Sequence, residues 1–269
     1  MADLQALSLP GIGRGRSALD SETANALACS LVGLRSLVEL DVCGMPSEAA
    51  DVLARALQQL TGLTRLKLFY PETHYHSYRV RLPAADIIIH IGSDCRLLEA
   101  AGSIAGLRSL SMLGFYCKDD QSPQLIASAL GALAGLTRLE ELDMRHSRFS
   151  AEAATALAGA LEGLTRLKKL NMEHIEPGLG GLAEAATAFA GTLTRLTQLT
   201  ELTMGSCSSD ATASPEAVAA LTAPLVALTS LTKLATYEGP CSPATIETLA
   251  SALGRMPALT WLNAGPTMG

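Results

Sequence analysis

Aromatic side chains are scarce in this sequence, with four Phe, five Tyr and one Trp among 269 residues. Usage this far from that of an ordinary globular domain points to internal repetition. An excess of basic charge is also missing. Twenty Lys and Arg stand against 26 Asp and Glu, for a net charge of −6, so there is no cationic footprint for phosphate backbones or anionic lipid, and nucleic acid is not an expected partner. No apolar run approaches the ~18 residues needed to cross a bilayer, because Thr, Glu, Arg or Gly interrupts every Ala- and Leu-rich stretch. Direct membrane insertion is therefore not expected. Asp3 lies where a secretory leader carries cations, and Asp3, Asp20 and Glu22 weigh against an organellar transit peptide despite Arg14, Arg16 and Ser17. The expected setting is the cytoplasm or the interior of an organelle. Six cysteines are scattered without a Cys-x-x-Cys pair, and a chain of this length has no need of disulfide staples, so reduced thiols are expected.

Catalytic signatures are lacking as well. Gly11-x-Gly13-x-Gly15 places Arg16 where a dinucleotide fingerprint needs its last glycine, and no Gly-Lys-Ser/Thr follows. There is no Gly-x-Ser-x-Gly elbow and no His-Glu-x-x-His helix. With no convergent set of reactive side chains, the expectation is a protein that is not an enzyme and that carries no cofactor.

What is abundant is leucine and alanine, 47 and 43 residues or a third of the chain. They are organised in one phrase, L-x-x-L-x-x-L-x-L. It reads as Leu34, Leu37, Leu40, Val42; Leu60, Leu63, Leu66, Leu68; Leu107, Leu110, Leu113, Phe115; and Leu136, Leu139, Leu142, Met144. Further copies are led by Leu164, Leu196, Leu228 and Met256, and Leu4, Leu7 and Leu9 form a partial one. Taking the penultimate apolar residue as a marker gives positions 7, 40, 66, 113, 142, 170, 202, 234 and 262, with one gap of 47 among spacings of 26 to 33. That gap predicts an insertion over about 69–91. The second copy is internally periodic from Leu57 to Leu66, so its strand register is open by three residues.

The period-two end of each phrase suits a short strand. The intervening Ala-rich segments, such as 152–161, 182–193 and 215–226, carry apolar residues at helical spacing. Ser122-Pro123, Ser214-Pro215 and Ser242-Pro243 supply a capping hydroxyl followed by a ring suited to the first helical position, and Ser47 and Ser150 can serve similarly. A strand–helix unit of this size cannot bury its own apolar edge, so successive copies must stack. The phrase resembles that of the leucine-rich repeat superfamily, and the 28–29-residue strand–helix unit is similar to its ribonuclease-inhibitor-like class. The resemblance implies an α/β fold, a right-handed β-α superhelix or horseshoe of about nine repeats, forming a single domain over 1–269. That class keeps Asn or Cys three positions beyond the last strand leucine. Here those positions hold Met45, Pro71, Lys118, Ser147, Ile175, Cys207, Gly239 and Thr267, so the usual polar ladder of the turn is largely absent.

In such a solenoid the strand residues that alternate with the buried leucines line the concave side. On this register they include Met112, Gly114, Arg145 and the aromatics Phe69, Tyr116, Tyr237 and Trp261. Arg145 and the four aromatics are candidate partner anchors; the alternative is an ordinary solvated face. The insertion concentrates Tyr70, Tyr75, Tyr78, His74 and His76, followed by two short strand patterns at 78–82 and 87–91. It is either a partner-contact loop or a flap over one rim. Cys117, His146 and His174 fall at one position of three consecutive copies and are candidate metal ligands, with zinc the metal that accepts such a set. The chain opens and closes on strand patterns without covering helices, which favours life inside a larger assembly. The function expected is protein–protein interaction or scaffolding as a complex subunit. Alternatives implied by the resemblance are a regulator of an enzyme or GTPase, or the ligand-sensing module of a longer immune-type receptor.

Overall fold

The computed structural model describes residues 4–9, 21–43, 47–69, 91–113, 123–145, 147–149, 151–173, 176–177, 182–205, 224–237, 247 and 250–264. Strands and helices alternate: β1 (Ala6–Leu9), α1 (Ser21–Leu31), β2 (Glu39–Cys43), α2 (Ser47–Gln59), β3 (Arg65–Phe69), α3 (Ile91–Gly102), β4 (Ser109–Leu113) and α4 (Pro123–Ala132). A short 3-10 turn (Leu133–Gly135) leads into β5 (Glu141–Asp143), β6 (Arg148–Phe149) and α5 (Ala151–Leu161). Then come β7 (Lys169–Glu173), β8 (Glu176–Pro177), α6 (Leu182–Leu193), β9 (Glu201–Gly205), β10 (Lys233–Tyr237) and β11 (Trp261–Ala264). Nine strands form one parallel sheet in the order β1-β2-β3-β4-β5-β7-β9-β10-β11, while β6 and β8 make a separate parallel pair. Sequence order and spatial order coincide throughout, as stacking of like units requires.

The marker residues pair with one another from strand to strand: Leu7 with Leu40, Leu40 with Leu66, Leu142 with Leu170, Leu170 with Leu202, Leu202 with Leu234, and Leu234 with Leu262. One assignment from sequence is corrected. Leu66 pairs with Leu110, and Leu110 with Leu142, so Leu110 rather than Leu113 is the marker of β4. The phrase of that rung is Ile104, Leu107, Leu110, Met112. Its first leucine is disguised as Ile and its last as Met, while Leu113 extends the three-residue period in the wrong direction. Met112, expected on the open face, is instead fully buried, and the positions flanking the marker are Ser109 and Ser111. The widest marker spacing shortens from 47 to 44 residues. Ile91, expected to end a strand, is the first residue of α3; the rest of the 70–90 segment lies outside the described residues.

The first three apolar positions of the phrase have a backbone explanation. Leu164 N–H donates to the Leu161 carbonyl and Leu167 N–H to the Leu164 carbonyl, both at 2.9 Å, and the same two consecutive three-residue turns lead into β2, β3, β4, β5, β9, β10 and β11. Three residues per turn put every third side chain on one side. Leu164 and Leu167 are accordingly fully buried, as are Leu136 and Leu139, and Leu196 and Leu199. The chain then extends, and the next buried positions alternate along the strand.

Helices α1 to α6 pack neighbour against neighbour. Small residues let them approach: Ala153, Ala154, Ala158 and Ala160 are all buried on α5. Closest of all is the end of α3, where a Cβ added to Gly102 would lie 2.7 Å from both the carbonyl oxygen and the Cβ of Ala132. Proline begins α4 as the Ser122-Pro123 pair predicts, and α6 spans 182–193. Ser47 is the first residue of α2 rather than the residue before it. Ser150, Ser214-Pro215 and Ser242-Pro243 lie outside the described residues, as does most of the predicted helix 215–226, of which 224–225 are helical.

Candidate interaction face

The residue just before each strand, two positions before its marker, organises the entry edge of the sheet. The Val38 carbonyl accepts the N–H groups of both Thr64 and Arg65, at 2.9 and 3.0 Å. Identical pairs of bonds run to the carbonyls of Gln5, Thr64, Arg108, Glu140, Lys168, Thr200 and Thr232. Four of the rungs add a side-chain bond to the same oxygen. Thr64 Oγ1 donates to Val38, Thr200 to Lys168, Thr232 to Thr200 and Thr260 to Thr232, at 3.4, 3.0, 3.0 and 3.2 Å. This threonine ladder lies at the opposite end of the strand from the Asn or Cys ladder that the family resemblance led one to seek. Ser147, which occupies a position of the sought ladder, is buried, and its Oγ has no hydrogen-bond partner.

On the face of the sheet that carries none of the described helices, charges on adjacent strands pair crosswise. Arg65 lies 2.8 Å from Glu39, Lys169 3.0 Å from Glu141, and Lys233 3.1 Å from Glu201. Glu140 is held between Arg108 at 3.0 Å and Lys168 at 2.7 Å. Directly opposed residues of adjacent strands have neighbouring Cβ atoms, so each such pair matches charge at contact range. The hydrogen bond from Lys168, with the charges of Lys168 and Arg108, holds the Glu140 carboxyl below the ordinary carboxylate range. Glu141, and behind it Glu201, raise Lys169. The rung between the two charged blocks, β4, has Ser109 and Ser111 at the outward positions, and Ser109 Oγ donates to Glu141 at 3.3 Å. The face is thus polar, internally neutralised and interrupted by a serine rung.

Among the sequence candidates, Trp261 is 47% exposed on β11. Arg145 is half-buried and folds back on Asp143, with Nε 3.0 Å from Oδ1 and Nη2 2.8 Å from Oδ2. Phe69 and Tyr237 end β3 and β10, each at the third position beyond its marker. Tyr70, Tyr75, Tyr78, His74, His76 and Tyr116 lie outside the described residues. So do Cys117, His146 and His174, but the register of β4 changes their premise. Cys117 is seven residues beyond its marker, Leu110, whereas His146 and His174 are four beyond Leu142 and Leu170. The shared position on which that set was built belongs to Gly114. Among the described residues no group of three His, Cys, Asp or Glu side chains is placed to hold a metal ion.

The cross-strand ion pairs and the threonine ladder were missed in the sequence although their signals were present. Glu39/Arg65 and Glu141/Lys169/Glu201/Lys233 alternate in sign at one repeat position. Thr64, Thr200, Thr232 and Thr260 recur at another.

No protein-family model matches the sequence. No curated protein matches it either. Among solved structures, the C-terminal domain of tropomodulin from Caenorhabditis elegans superposes with a TM-score of 0.44 at 15% identity, over 62% of this chain and 92% of that one. An internalin from Listeria monocytogenes superposes with a TM-score of 0.34 at 15% identity, over 89% of this chain. The chain spans 63% of the length of that internalin structure. No helix among the described residues is long and apolar enough to cross a membrane. The repeated phrase, the marker-to-marker parallel register and the strand–helix alternation together make this an α/β solenoid of stacked strand–helix repeats.

Proposed function

We propose that the chain is a non-catalytic interaction or scaffold subunit of a larger assembly, related to the ribonuclease-inhibitor-like repeats, that binds other proteins through the concave strand face and the 69–91 insertion. The observation that carries this reading is the face of nine parallel strands that bears none of the described helices and is lined by ion pairs whose partners lie on neighbouring strands. Such a face presents fixed donors and acceptors at about 4.8 Å intervals, a rigid template that loses little entropy on binding. Internal neutralisation argues for a partner recognised by shape and hydrogen bonding rather than captured by one sign of charge. In this reading the aromatics of the 69–91 insertion add apolar anchors.

Two sets of substitutions test this reading. Phe69→Ala combined with Tyr237→Ala removes anchors from the strand face, and Tyr70→Ala, Tyr75→Ala and Tyr78→Ala together remove those of the insertion. Each set should weaken retention of the native partners while leaving the thermal unfolding of the isolated chain within a few degrees. Retention unaffected by both sets would place the binding surface on the helical side and contradict the proposal.

A further inference from the structure

The interior of the sheet closes its core completely, and the two outer strands do not. Three residues before the marker stand Leu37, Leu63, Leu107, Leu139, Leu167, Leu199 and Leu231, all with 0% exposure. Leu4, at the same position of β1, is 43% exposed. The markers Leu40 to Leu234 are at most 2% exposed, whereas Leu262, the marker of β11, is 41% exposed beside Trp261. The same core stripe is therefore open at both outer strands of the described sheet.

We propose that β11 of one copy pairs in parallel with β1 of a second copy, so that the solenoid associates head to tail with itself. This inference stands apart from the reading of the strand face, since it rests only on the outer strands. Continuing the register of every existing pair sets Leu262 against Leu7 of the second copy, Trp261 against its Ala6 and Asn263 against its Ser8. The fit is chemical as well as geometric. The outward positions of the outer strands hold Ala6, Ser8, Trp261 and Asn263, all uncharged, whereas the next strands inward carry Glu39 and Asp41, or Lys233. The junction buries no unpaired charge, which would be costly. Ala6 leaves room for the indole of Trp261. Lys233 of one copy and Glu39 of the next then stand three strand spacings apart, about 14 Å, each already paired within its own copy, with Glu201 and Arg65 respectively, so no like charges are brought together. The Thr260 carbonyl comes to the place of the Thr232 carbonyl, which accepts the N–H groups of Thr260 and Trp261, and would accept those of Gln5 and Ala6 of the second copy. One junction covers both open positions, Leu262 and Leu4, whereas twofold pairing of β11 with itself covers only one. A head-to-tail contact is heterologous, so each copy keeps one free end and growth continues.

The test uses the 269-residue chain in analytical ultracentrifugation across a concentration series, with Leu4→Glu and Leu262→Glu. Both leucines are exposed, so the variants should keep the circular dichroism and unfolding midpoint of the parent. The expected result is a parent whose mass rises past the dimer with concentration, each variant alone a monomer, and an equimolar mixture that stops at the dimer. Only one intact head and one intact tail then remain to pair. Ala6→Arg, which keeps both leucines and crowds Trp261, should block growth as well. A parent that stays monomeric at every concentration overturns the proposal. So does a mixture that stays monomeric, or a loss of association with Leu262→Glu that Leu4→Glu does not share.

Discussion

Leu170 shows at the residue scale what the repeated phrase contributes. It is 1% exposed and sits between Leu142 and Leu202 in the marker ladder. Replacing it with Ala removes its contacts and leaves a cavity that rigid neighbours cannot fill, at a cost of about 2–5 kcal/mol, to be read from the denaturant midpoint at unchanged slope. Gly102→Ala should destabilise by the opposite route. The added methyl meets the backbone of Ala132, which cannot swing aside, and α3 and α4 must separate at a cost of about 1–3 kcal/mol. On the strand face, Glu140 should titrate below an ordinary glutamate. The bond from Lys168 is its largest cause, so Lys168→Met should raise the Glu140 midpoint more than Arg108→Met does, as side-chain carboxyl chemical shifts would record. The folded state holds this proton less tightly than the unfolded chain does. Whatever the pair contributes is therefore present at neutral pH and is lost as the pH falls through the depressed midpoint.

At the scale of the element, the threonine ladder makes the entry to β3, β9, β10 and β11 more than a turn. Thr232 donates to the Thr200 carbonyl, and its own carbonyl accepts from Thr260. Thr232→Val keeps the shape and removes the donor. It should cost about 0.5–1.5 kcal/mol in a urea titration, and Thr232→Ser should recover most of the loss. These elements also show how far the sequence could be read. The leucine phrase located seven of the nine strands of the main sheet in register, because buried positions every third and then every second residue leave few alternatives, and it left β3 open by three residues, where Leu66 is the marker. It failed at β4, where Ile104 and Met112 stand in for leucines and Leu113 prolongs the period by one false step. That slip moved Met112 onto the open face and aligned Cys117 with His146 and His174. The β6–β8 pair was not anticipated, since two-residue strands such as Arg148–Phe149 have no period to detect. The ion pairs were legible only as an alternation of sign at one repeat position: their partners are 26 to 32 positions apart, and the strand register is what brings them into contact.

At the scale of the whole molecule, nine strands in sequence order make an elongated object whose units touch mainly their neighbours. Its stability is then close to a sum over rungs and junctions. Disruption in the middle, as at Leu170, should uncouple the two halves more than an equal cost near β1 would. Along the described strands the same architecture lines one face with charges that neutralise one another. The measurement that tests most directly whether this face belongs to an assembly is the mass and composition of the full-length protein purified gently from its native source. The expected result is a complex in which other proteins accompany the chain in fixed ratio and are lost with the Phe69→Ala, Tyr237→Ala pair. A chain that emerges alone, or only with copies of itself, would contradict the reading of it as a subunit that binds other proteins.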